Sequence, residues 1–122
     1  MRRARGSADP DVSPGLWRPL LLVAGGGVLG SLARYGLGDA FPGIWTTFGI
    51  NVVGSFLLGA LVVRRPPEHW SRPLLGTGVL GGFTTMSALA VQTVDASAAT
   101  GAVYLGATLV AGIAAAALGM RT

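Results

Sequence analysis

The chain has 122 residues, of which 51% are hydrophobic and 11% charged, with a mean hydropathy of +0.60. All nine basic residues behind its net charge of +4 are arginines set beside apolar runs rather than along a soluble face, which argues against nucleic acid as a partner. With no cysteine, disulfides and thiolate metal sites are excluded.

Residues 1–18 open with a polar, Pro- and Gly-containing stretch, expected to be a disordered cytoplasmic N-terminus. It resembles a basic signal n-region. The apolar run that follows is too long for an h-region and lacks a clean small-x-small cleavage site, so an uncleaved first span is expected. Four apolar stretches then fill residues 19–121, at 19–38, 44–63, 73–94 and 99–120, each long enough to cross a bilayer. The predicted fold class is an all-α membrane protein of four transmembrane helices.

With four spans, the N-terminus, the 64–72 connector and the C-terminus share one side. That side holds Arg2, Arg3, Arg5, Arg18, Arg64, Arg65, Arg72 and Arg121, whereas the opposite connectors carry Asp39 and Asp95 and no basic residue. The positive-inside rule places both termini in the cytoplasm of a multi-pass protein of the cell membrane.

In the first span, Gly25, Gly27 and Gly30 imitate a dinucleotide-binding G-x-G-x-x-G. The region some 20 positions on, GINVVGSF, has no acidic residue, and the context is not a soluble βαβ unit. Gly26 and Gly30 read better as a small-xxx-small pair for close helix packing. Arg34 lies inside the span, at an insertion cost of at least about 2.5–3.5 kcal/mol unless it snorkels or is paired. It either reaches the interface or supplies a fixed positive charge for an anion.

The second span carries Asn51, whose amide can donate to an anion or join helices, with Ser55 four residues on along the same face. The third, from Pro73 to about Val94, is interrupted by Gly81-Gly82-Phe83-Thr84-Thr85. Two glycines and two threonines weaken a helix at the depth where lipid offers no substitute hydrogen bonds, and exposed backbone there is tolerated only against protein, an ion or water. The break therefore points to an ion or substrate pathway. Thr84, Thr85, Ser87, Gln92 and Thr93 cluster about it; singly, such hydroxyls bond back to their own helix. The fourth span offers Tyr104 and Thr108 on one face, and Tyr104 equally suits an interfacial belt.

Gly26-x-x-x-Gly30-x-x-x-Arg34-Tyr35, Asn51-x-x-Gly54-Ser55-Phe56-x-x-Gly59 and Gly81-Gly82-Phe83-Thr84-Thr85-x-Ser87 together resemble the successive signatures of the Fluc-type fluoride channels, the CrcB family. The resemblance covers roughly residues 20–120. It implies an antiparallel dimer, passive fluoride efflux that protects the cytoplasm, and a structural Na⁺ at the dimer centre, held by backbone carbonyls of Gly81 and Thr84. It also implies an anion pathway involving Asn51, Arg34, Thr85, Ser87, Tyr104 and Thr108.

Two departures stand out. Family members carry two phenylalanines after the break, whose electropositive ring edges face fluoride; here Met86 and Leu89 occupy those positions, and Gln92 stands where many relatives have Glu. The one-sided arginines also disfavour insertion in both orientations. Together they lead to the expectation of a heterodimer with an oppositely oriented homologue, with a homodimer as the alternative. Two other functions compete. A small multidrug or cation exporter needs a titratable carboxylate at membrane depth, and Asp9, Asp11, Asp39, Glu68 and Asp95 all lie outside the spans or at their ends. A non-conducting scaffold subunit would use the glycines and threonines for packing alone. An enzyme is not expected: the only histidine, His69, sits in a connector, and no nucleophile–base set or metal-ligand cluster can be assembled.

Overall fold

The computed structural model describes residues 14–122. Helix α1 runs Pro14–Ala40 and α2 runs Ile44–Arg64. The third crossing, Arg72–Asp95, comes in three pieces: a π-wound segment Arg72–Leu80, a single turn α3 (Gly81–Phe83), and α4 (Met86–Asp95). Helix α5, Ala98–Met120, closes the bundle. All four crossings are long and apolar enough to span a membrane, and no strand occurs among the described residues. The chain is a multi-pass membrane protein. Helix α1 starts ahead of residue 19; residues 1–13, within the segment expected to be disordered, lie outside the described residues.

The connectors explain themselves locally. Phe41-Pro42-Gly43 turns α1 into α2, with Gly43 at φ 131°, a conformation that L side chains rarely adopt. Ser97 caps α5 by accepting from Thr100 N at 3.3 Å. At the other end Arg72 folds back over the end of α2, its Nε donating to Arg65 O at 2.9 Å and its Nη2 to Val62 O at 3.2 Å. A cation on the last carbonyls of a helix satisfies orphan acceptors and complements the dipole. Arg72→Ala should lower stability by about 0.5–1 kcal/mol, with Arg72→Lys intermediate because it keeps the charge and loses the fork. Thermal unfolding in detergent reads this; an unchanged midpoint in Arg72→Ala would contradict it.

The bundle is two helix pairs. In the first, α1 packs parallel to the early third crossing through glycines on both sides. Gly26 and Gly30 face Gly78, Val79 and Phe83: a Cβ at Gly30 would drive into the Val79 carbonyl and lie 2.8 Å from Phe83 N, and one at Gly78 would lie 2.9 Å from Gly26 Cα. The small-xxx-small reading holds, whereas Gly25 and Gly27 have nothing within 4 Å of their Cβ positions. In the second pair, α2 and α5 cross with Gly59 against the Ala116 carbonyl and Gly119 against that of Phe56. Backbone-to-backbone approach of this kind replaces the hydrophobic effect, which lipid does not supply between helices.

Candidate functional site

The third crossing loses its helical ladder just past Gly81-Gly82. The glycines stay helical; the backbone becomes extended at Thr84 (φ −74°, ψ 153°) and Thr85 (φ −145°, ψ 119°). Asn51 of α2 holds that corner from the side. Its Nδ2 donates to Thr85 O at 3.0 Å and its Oδ1 accepts from Thr85 N at 2.8 Å, a two-point clamp of a side-chain amide on one residue's backbone. Gly54, one turn on, leaves room for the Thr84 methyl, which a Cβ at Gly54 would strike.

Two carbonyls lose their usual donors as a result. In a continuous helix Gly81 O would take the N–H of Thr85, which goes to Asn51, and Thr84 O would take that of Ala88, which goes to Thr85 Oγ1 at 3.2 Å. Thr85 is thereby the N-cap of α4. Two backbone carbonyls released at membrane depth are oxygen ligands of the sort a hard cation takes, and they are the pair predicted for Na⁺. No cluster of three or more His, Cys, Asp or Glu stands among the described residues.

Beside the corner lies a groove of about 410 Å³ between α2, the third crossing and α5. Asn51, Ser55, Thr84, Thr85 and Thr108 supply its polar lining, and Met86, Leu89 and Ile113 part of its apolar wall. Of the residues predicted for an anion pathway, the groove unites Asn51, Thr85 and Thr108. Ser87 lies next to it, sharing a hydrogen bond of 3.2 Å with Thr85 Oγ1. Tyr104 is buried one helical turn from Thr108 and lines a separate notch with Trp45 and Phe48; its hydroxyl donates to Gln92 Oε1 at 2.7 Å. Arg34 stands apart from the groove, on α1, and its buried Nε has no hydrogen-bond partner among the described residues.

The donor inventory narrows what the groove can do. Thr84, Thr93 and Thr108 each give their hydroxyl proton to a carbonyl one turn back (Leu80, Leu89 and Tyr104), the local bonding expected of lone hydroxyls in membrane helices. One N–H of the Asn51 amide is taken by Thr85 O, leaving the second as a donor, together with one proton of the Thr85–Ser87 pair and the hydroxyl of Ser55 on the groove wall. The altered aromatic positions differ from each other: Leu89 is 2% exposed, inside the chain's own core, and Met86 is 66% exposed on the groove's rim. Sequence reasoning missed the Asn51–Thr85 clamp and the Gln92–Tyr104 bond; all four residues were singled out as polar, but nothing in spacing pairs residues 34 or 12 apart on different helices.

A four-span bundle with one crossing broken at mid-depth, its corner clamped by a half-buried amide and flanked by a groove with few donors, has the build of a membrane ion-transport protein. The CrcB-like protein (camphor resistance) family model matches residues 21–120, and the chain belongs to that family. It is similar to the fluoride-specific ion channel FluC 1 of Rhodococcus jostii, 51% identical over 105 residues covering 86% of this chain and 85% of that protein. It is also similar to the fluoride-specific ion channel FluC of Corynebacterium efficiens, 42% identical over 120 residues (98% and 80%). A third relative, the fluoride-specific ion channel FluC 1 of Mycobacterium tuberculosis, is 44% identical over 88 residues (65% and 67%).

Proposed function

We propose that this chain is a subunit of a fluoride channel of the cell membrane that lets fluoride leave the cytoplasm passively, and that it works as a heterodimer with an oppositely oriented homologue. The observation that carries the reading is the Asn51 clamp, which fixes an extended corner at membrane depth and leaves one amide N–H beside the groove. A small anion stripped of water needs such fixed donors. In this reading Asn51, Thr85 and Ser87 are the donors nearest the corner. Thr108 joins them by rotating its hydroxyl away from Tyr104 O, and Tyr104 with Gln92 continues the polar line. Arg34 adds a fixed positive charge outside the groove.

Na⁺ suits the released carbonyls of Gly81 and Thr84, where it would neutralise two oxygen dipoles and tie the corner to the corresponding corner of the second subunit. Two features support a partner of different sequence. Eight of the nine arginines sit on one side of the membrane under the positive-inside reading, with both termini cytoplasmic, so one orientation is favoured. Neither Met86 at the groove's rim nor the buried Leu89 in its wall can present an aromatic ring edge.

The test is fluoride efflux from liposomes, read with a fluoride electrode, for this subunit alone and with a homologous subunit of opposite arginine bias. Flux is expected only from the pair. Robust flux from the lone subunit would sink the heterodimer while leaving the channel standing; no flux in either preparation would leave a non-conducting subunit.

A further inference from the structure

The arginine-bearing end of the bundle holds a feature that no part of the pore reading uses. The start of α1 and the 65–71 connector enclose a notch of about 550 Å³, lined by Arg18, Glu68, His69 and Trp70 among others. It lies at the ends of two membrane-length helices, where lipid headgroups sit. The imidazole is held in one tautomer. Ser71, itself only 4% exposed, donates its backbone N–H to His69 Nδ1 at 3.2 Å, with its hydroxyl 2.7 Å from the same nitrogen. A ring nitrogen that accepts a backbone N–H carries no proton, so in the neutral ring the proton is on Nε2, a fixed donor. The Trp70 ring lies 5.5 Å from the imidazole, tilted by 33°, and is half exposed, as an interfacial anchor would be.

The notch thus offers a guanidinium and an imidazole N–H to an anion, and a carboxylate to a cation, in one small space. It also adjoins an inward track: a second cavity of about 580 Å³ shares Pro19, Pro67 and Pro73 with it and continues past Leu58 and Gly76. A polar notch that takes both charges, opening onto a mainly apolar furrow whose one guanidinium, that of Arg72, is held on the carbonyls of Arg65 and Val62, matches a zwitterionic phospholipid. We propose that this is a phospholipid site selective for the phosphoethanolamine headgroup, with Arg18 and the His69 Nε2–H on the phosphate and Glu68 on the ammonium. A primary ammonium has three N–H donors for Glu68, and a choline headgroup has none. An anionic headgroup would bring a second negative charge towards Glu68.

The experiment is native mass spectrometry of the full-length protein in detergent, incubated with equal amounts of phosphatidylethanolamine and phosphatidylcholine of the same chains, and separately with inorganic phosphate as competitor. Retention of the ethanolamine lipid is expected to exceed that of the choline lipid by about three- to fivefold, the scale of one exposed charge pair. Glu68→Gln should remove the preference while leaving choline-lipid binding, and Arg18→Gln should weaken both lipids. Equal retention by the wild type, or a preference that survives Glu68→Gln, overturns the proposal. Displacement of the lipid by millimolar phosphate overturns it in favour of a free-anion site. Both substitutions lie at exposed positions, so size-exclusion profiles should match the wild type.

Discussion

Asn51→Ala should reduce fluoride flux by at least about tenfold, because it leaves both backbone groups of Thr85 without partners at a depth where water does not replace them. Each orphaned group costs about 1–3 kcal/mol, and 1.4 kcal/mol is a factor of ten in the population of the extended corner. Without the clamp, Thr85 N–H has an obvious alternative in Gly81 O, which restores a helical bond and removes a carbonyl from the proposed Na⁺ site. Asn51→Asp separates the two halves of the clamp: it keeps an acceptor for Thr85 N–H, loses the donor to Thr85 O, and adds a negative charge beside an anion path. Both variants should lose flux, and the aspartate should lose it even where its thermal unfolding stays closer to the wild type. The readouts are efflux from liposomes made with the partner subunit and melting in detergent. Wild-type flux from Asn51→Ala would show that the clamp is interhelical glue alone.

Gly30→Val should be the most damaging single change to the fold. A branched side chain there meets the Val79 carbonyl and Phe83 N, which are backbone atoms, so no rotamer can give way. The α1 pairing with the third crossing must open, at a cost of about 3 kcal/mol or more, and the broken corner loses the helix that supports it. Gly25→Ala is the contrasting case, since nothing stands within 4 Å of its Cβ position and alanine favours the helix. The pair of variants also decides between two readings of one motif. A Gly-rich turn would suffer at Gly25, whereas a helix-packing face suffers at Gly30. Melting in detergent with size-exclusion profiles reads both, and a Gly30→Val protein as stable as Gly25→Ala would refute the packing assigned to this interface.

The broken third span was legible in part. Gly81-Gly82 marks the right depth, yet both glycines remain helical, and the chain leaves the helix at Thr84 and Thr85. Propensity located the weak stretch; the exit point depended on which residue found substitute partners. Thr85 has two, in its own hydroxyl as N-cap and in Asn51 from another helix. The tandem glycines serve close approach instead, Gly82 lying against Gly27 and Ser31 of α1.

The substituted aromatic positions were not separable by sequence either. Met86 and Leu89 are three apart and equally apolar in the written chain, but the turn of α4 sends Leu89 inward and Met86 outward. Arg34 ran the other way. Its position inside a span made it conspicuous, and the fold leaves its Nε without a described partner and places it away from the groove.

What the sequence by itself determined is what depends on local composition and period: four crossings, the arginine-rich and arginine-free ends, the glycine face of α1, and a third crossing too weak to run unbroken. Those features follow from burial in lipid, backbone hydrogen bonding and charge, each readable within about twenty residues. Only the tertiary structure decided how the polar groups pair: Asn51 with Thr85 across 34 positions, Tyr104 with Gln92, and the carbonyls of Gly81 and Thr84 released. A side-chain amide and a hydroxyl carry no record in the sequence of where their partners lie, and packing the helix backbones against one another is what brings those partners within 3 Å.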